Sequence, residues 1–300
     1  MNLSDFKYIK DGHCIITACL ELVAFSKADV VTARQGFLNF YEVFRSRFHG
    51  ELKLYNTAAM KRMKKVDQDA LDLVPHWLQK PEQIPPGDFG LDMHSGAASQ
   101  DAVPPAFEMF CDQTSDQPNS YFRMVLPFDW MEGDSQELLV LTQSALKEFP
   151  LLSGYAGYSF FWQTRDIEVM RMAAQYYKPW LKRYPGFVHG ETMEFPETAL
   201  FGIVTPDWLT LLGQEYVKQL GGAEHIALSL GEDIQIHKLD QGLILQAGPQ
   251  PLIGDVNRND RLPLYQKVAE FLKEVRAPAD EAWIEGFSED ETEAWFARFD

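Results

Sequence analysis

The 300-residue chain is 46% hydrophobic and sets 27 Lys+Arg against 44 Asp+Glu, a formal charge of -17. That apolar share can bury a sizeable core without staples, while the charge repels phosphate backbones and anionic membranes, so direct binding to nucleic acid or membrane is not expected. Cys14, Cys19 and Cys111 form no CxxC pair and read as reduced thiols.

The start, MNLSDFKYIKDGH, lacks a basic stretch followed by a long apolar core, and no later run is apolar enough to span a bilayer; the expected location is cytoplasmic. Residues 13–25 predict a strand. Ser26 and Asp29 then offer caps to a helix with Val30, Ala33, Phe37, Tyr41, Phe44 and Phe48 on one face, closed by Gly50 before a short strand at 52–55. Residues 57–80 read as a basic helical stretch interrupted by Pro75. Its dense positive cluster, Lys61, Arg62, Lys64 and Lys65, is either a solvated helix face or a site for a phosphate or an acidic partner. Residues 81–119 are rich in Pro and Gly and read as a long loop.

A strand at 121–128 is followed by Asp134-Ser135 capping a helix with Leu138, Leu141, Ala145 and Phe149 on one face, then by a strand at 151–162. A helix is predicted from Asp166 to about Leu181, with Pro179 kinking or ending it. Past an irregular stretch, Ala199 to Val204 is a short apolar run. Thr205-Pro206-Asp207 reads as a helix start, because hydroxyl, proline and acid all suit a helix N-terminus. Leu209, Leu212, Tyr216 and Leu220 continue it at helical spacing to Gly221-Gly222. Strands at 234–238 and 243–247 are joined through Gly242, and a helix opened by Pro263 follows.

The order WLTLL, LGG, GLILQAGPQPLIGD, LPLY and a helix ending EVR resembles the bacterial immunity proteins catalogued as DUF3396, the type VI immunity (TsiV-like) family. The resemblance is strongest over the last third of the chain. It implies a protein that protects a bacterium from a toxin delivered by type VI secretion, in some members a nuclease, and it implies a binding role with no catalytic residue.

From 279 to 300 the chain turns acidic, with Trp283, Phe287, Trp295 and Phe296 interleaved among the acids. This segment is either a docked terminal helix with its acids in water or a docking surface for a basic partner. No GxGxxG, GxxxxGK or GxSxG motif occurs. His189, Glu191 and Glu194 are the nearest approach to a metal or acid/base cluster, but neither HExxH nor PCxxC supports them. Asp255, after Gly254, reads as turn chemistry, with a partner contact as the alternative.

The expectation is an α+β fold: two or three repeated β-α-β units, about 13–56, 121–162 and 198–276, forming mixed or antiparallel sheets with helices packed on one face of a single domain. It carries no cofactor and no metal, and is not an enzyme. It binds a basic secreted effector toxin and occludes its active site. The expected contacts are Glu289, Asp290 and Glu291, then Asp129, Glu132 and Asp134 beside Trp130, with Asp255. The alternative is a metal-assisted hydrolase built on His189, Glu191 and Glu194.

Overall fold

The computed structural model describes residues 6–85, 87, 89–112, 118–131, 134–163, 167–190, 195–281 and 283–300. In chain order these form β1 (Lys7–Lys10), β2 (His13–Ser26), α1 (Val30–Phe48), β3 (Leu54–Thr57), β4 (Lys64–Lys65), α2 (Gln68–Leu71), α3 (Leu73–Gln79), β5 (Gly90–His94), β6 (Ala106–Asp112) and β7 (Asn119–Pro127). Then come α4 (Gln136–Ala145), β8 (Ser153–Trp162), α5 (Ile167–Arg183), α6 (Phe195–Thr198), β9 (Leu209–Gly213), α7 (Gln214–Gln219), α8 (Ala223–Leu230), β10 (Gln235–Leu239), β11 (Gly242–Gln246), α9 (Pro263–Phe271) and α10 (Glu289–Phe296).

All 11 described strands join one sheet in the order β10-β11-β9-β8-β2-β7-β6-β5-β3-β4, with β1 on the free part of β2. Every pairing between named strands is antiparallel. β2 is the spine because its 14 residues are long enough to pair with β7 and β8 at once and are buried on both faces, so they need no polar alternation. β7 and β8 therefore run parallel, with β2 between them and α4 as their crossover. β9 and β10 likewise enclose β11, with α7 and α8 between them in sequence.

α1 begins where Asp29 accepts a hydrogen bond from Thr32 N at 2.9 Å. Its aromatic stripe meets the sheet, with Phe37 4.6 Å from Phe122 and Phe44 5.2 Å from Phe107 between ring centroids. Gly36 makes this possible, because a Cβ there would strike the backbone of Glu148 and Phe149. On the same face, α5 lays Trp180 over Phe160 at 5.2 Å and Tyr177 by Trp162 at 4.8 Å. Burial of each such side chain contributes about 1.5–3 kcal/mol.

The opposite face carries charge. The register sets Arg123 beside Val23 and Glu108, and Glu21 beside Gly157 and Val125, so Glu21, Arg123 and Glu108 converge under cover. Arg123 Nε donates to Glu21 at 2.8 Å, Nη1 to Glu108 at 3.2 Å and Nη2 to the Phe160 carbonyl at 3.2 Å. Burial alone would lower the Arg123 pKa, and the two carboxylates more than offset it. Asp207 lies over Gly157, where any Cβ would strike its carboxylate.

Three local expectations need correction. The helix read across 205–220 is a strand, β9, followed by the short α7. Residues 57–80 hold the edge strand β4 and two short helices, and Pro75 sits in the first turn of α3, where its missing N–H costs nothing. The Pro- and Gly-rich stretch 81–119 contains β5 and β6, which pair with β3 and β7. α5 also runs four residues past Pro179 before it ends.

Candidate functional site

α10 opens with a capping box in which Ser288 Oγ accepts from Glu291 N at 3.3 Å and Glu291 accepts from Ser288 N at 2.8 Å. Glu291 also accepts from Lys178 at 2.7 Å and Lys182 at 2.6 Å on α5. Those two lysines, then the Ser288 amide, draw its pKa down to about 2. Trp295 is buried, stacked at 6.0 Å on Phe195, and the Arg298 guanidinium lies 4.0 Å over its ring. Arg298 also donates to Thr205 Oγ1 at 2.7 Å and to the Pro185 carbonyl at 2.9 Å. The tail is thus docked through Glu291 and Trp295, while Glu289 and Asp290 project into solvent. Trp283 is 47% exposed.

The second acidic surface follows β7. Asp129 and Asp134 are exposed; Asp134 accepts from Gln136 N at 2.8 Å at the start of α4. Trp130 is half-buried, edge-on to Phe48 at 6.1 Å. Glu132 lies outside the described residues.

Asp255 is held inside. Its carboxylate takes a bidentate pair from Arg183, 3.0 Å from Nε and 2.9 Å from Nη2, and caps the turn at Asn257 N, 3.0 Å away. The Arg183 hydrogen bonds are the main reason its pKa is lowered. The carboxylate oxygens of Glu291 and Asp255 are thus engaged within the chain, and the bond from Asn257 N to Asp255 is the turn chemistry expected after Gly254.

His189 is fully buried among Tyr177 at 4.6 Å, Trp162 at 5.0 Å and Phe195 at 5.9 Å. Among the described residues neither ring nitrogen has a hydrogen-bond partner. Burial, helped by Arg123, pushes its pKa down to about 3. Glu191 and Glu194 lie outside the described residues. A neutral imidazole enclosed by aromatic rings meets neither water nor substrate, the requirement for acid/base work. Among the described residues no group of three His, Cys, Asp or Glu could hold a metal. The cysteines are buried, and burial raises Cys14 to about 11 and Cys111 to about 12.

Sequence reading missed a cleft of about 820 Å³, since its walls come from six segments: the β1–β2 turn, β3, residues 61–63, residues 97–100, Gln163 after β8 and the start of α5. Lys10, Lys61 and Arg62 are among its lining residues together with Asp11 and Glu168, and so is Asn56, which is 3% exposed and whose Oδ1 is buried with no partner among the described residues. The one signal in the sequence was the basic cluster at 61–65.

Residues 36–299 match the family described as TsiV, Type VI immunity for VRR-NUC. Among solved structures the chain is similar to Pseudomonas aeruginosa T6SS protein PA0821, with a TM-score of 0.79 and 18% identity, covering 98% of this chain and 87% of that one. At that identity the likeness is one of fold. No curated protein matches the chain. With most of its length matched, from within α1 to the end of the acidic tail, the chain belongs to the TsiV family of type VI immunity proteins.

Proposed function

We propose that this protein binds a cognate VRR-NUC toxin, a nuclease, and keeps substrate from its active site, making and breaking no bond itself. The observation that carries this reading is the family match over residues 36–299. Charge supports it: a chain of -17 is drawn to the basic groove by which a nuclease receives nucleic acid. Glu289 and Asp290 on α10, with Asp129 and Asp134 beside Trp130, supply exposed acids on a continuous 11-stranded scaffold, and so set encounter rate. An interface of at least about 1,200 Å² is expected. Because a nuclease harms the cell where its nucleic acid is, protection is exerted in the cytoplasm; no described helix is long and apolar enough to cross a membrane.

The test is co-expression of this chain with the toxin encoded beside it. Survival together with a 1:1 complex in solution is the expected result; toxicity with no complex would remove the proposal.

A further inference from the structure

We propose that Met63 is an oxidation site that latches one wall of the cleft: conversion of its thioether to the sulfoxide by a peroxide releases residues 58–65 from β5. The latch is read from the protonation of one ring. His94 on β5 is 1% exposed, and its Nδ1 accepts from Gly96 N at 3.0 Å. Glycine at 96 permits that approach, because a Cβ there would come 2.8 Å from Nδ1 and 2.5 Å from the Asp101 Cβ. An amide N–H can only donate, so Nδ1 is the bare nitrogen and the single proton of the neutral ring sits on Nε2. Burial keeps the ring neutral by drawing its pKa down to about 4. Nε2 lies 3.0 Å from Met63 Sδ, its one acceptor among the described residues.

Few other hydrogen bonds hold the segment. β4 pairs with β3 through Leu54 with Lys65 and Tyr55 with Lys64, and at the other end Ala58 N donates to the Gly90 carbonyl. Between these ends Met63 supplies the tie to β5. Met63 is also half-buried and lines the open cleft, where a water-sized oxidant enters, whereas Met93, Met109, Met124 and Met170 are buried. In the oxidation the sulfur lone pair attacks one peroxide oxygen as the O–O bond breaks. The sulfur is oxidised by two electrons, and the remaining hydroxide leaves as water with the proton of the transferred oxygen. A sulfoxide sulfur is the positive end of the S–O dipole and no longer accepts, while its oxygen stands a bond length further out and meets Nε2 only if the side chain withdraws. Met172 on α5 also lines the cleft and accepts from Lys10 Nζ at 3.3 Å, but Lys10 is exposed and its ammonium turns to water when that sulfur is oxidised. The His94 N–H has no such recourse, and a buried donor without an acceptor destabilises whatever arrangement leaves it so.

The experiment treats the full chain with hydrogen peroxide, measures sulfoxide at Met63 by peptide mass spectrometry and follows trypsin cleavage over time. Lys61, Arg62, Lys64 and Lys65, all exposed, give trypsin its sites in the segment, and cleavage there tracks how often the segment opens. Oxidation should speed that cleavage about tenfold or more. Methionine sulfoxide reductase should restore the untreated rate. Met172→Leu should respond to peroxide as the wild type does, and Met63→Leu should not respond. Sulfoxide at Met63 with cleavage unchanged overturns the inference. So does oxidation of Met172 that leaves Met63 unmodified, or a Met63→Leu chain that peroxide loosens as much as the wild type.

Discussion

Arg123 Nε donates to Glu21 Oε2 at 2.8 Å from the neighbouring strand, and both side chains are completely buried. Glu108 completes the group, so one guanidinium serves two carboxyl groups in the middle of the sheet, and burial raises the pKa of Glu21. Breaking such a set leaves an uncompensated charge, and Arg123→Met should cost about 3–5 kcal/mol in chemical denaturation. Replacing Glu21, Arg123 and Glu108 together by apolar residues should be neutral or stabilising, since desolvation of all three is then avoided.

His189 yields a pH prediction. Its folded pKa lies at about 3 against an ordinary 6.5, so the unfolded chain takes up a proton as pH falls through that window and the folded chain does not. Stability is present above 6.5 and is lost toward 3, by about 1.4 kcal/mol per pH unit at most. His189→Leu should flatten this acid limb without lowering stability at neutral pH, because among the described residues neither ring nitrogen has a hydrogen-bond partner. Urea titrations of both proteins down the acid range check it.

Asp207 gives the opposite slope. Burial raises its pKa well above the usual carboxylate range, against the pull of its bond from Trp208 N at 2.6 Å. The folded state therefore keeps a proton that the unfolded state releases above 3.8, and stability falls as pH rises toward the folded pKa. Asp207→Asn should be at least as stable as the wild type at neutral pH and should lose that slope, as pH-dependent denaturation would show.

The tail separates packing from encounter. Trp295→Ala should cost about 3–5 kcal/mol by opening a cavity between Phe195 and Phe296. E289K/D290K touches exposed positions in the first turn of α10 and should cost no more than about 1–2 kcal/mol, from the lost interaction with the helix dipole. It should slow association with the toxin about tenfold at low salt and weaken the salt dependence, both measurable by stopped flow.

Sequence legibility tracked periodicity. β2, α1 with its Asp29 cap, the Gly242 hairpin and the aromatic side of α10 were readable because one physical signal dominated each. β9 was not. Leu209 to Gly213 is buried on both faces, so it carries no alternation, and Leu212, Tyr216 and Leu220 fall at helical spacing by coincidence with α7 beyond. Thr205-Pro206-Asp207 mimicked a helix start, whereas Asp207 turns inward to Trp208 N. β5 and β6 were hidden because prolines and glycines around them swamped two short runs. Of the acids, Glu289, Asp290, Asp129 and Asp134 are exposed, but composition could not reveal the lysines that engage Glu291 or the arginine that holds Asp255. Nor could it reveal the cleft, which exists only once β1, β3 and α5 are brought together.

The most direct measurement is a titration of the toxin's DNA cleavage with this protein at fixed toxin concentration. The account predicts a linear loss of activity that reaches zero at one chain per toxin and returns when the complex is dissociated. Complete loss at a small fraction of one equivalent, showing that each molecule disables many toxins, would contradict it.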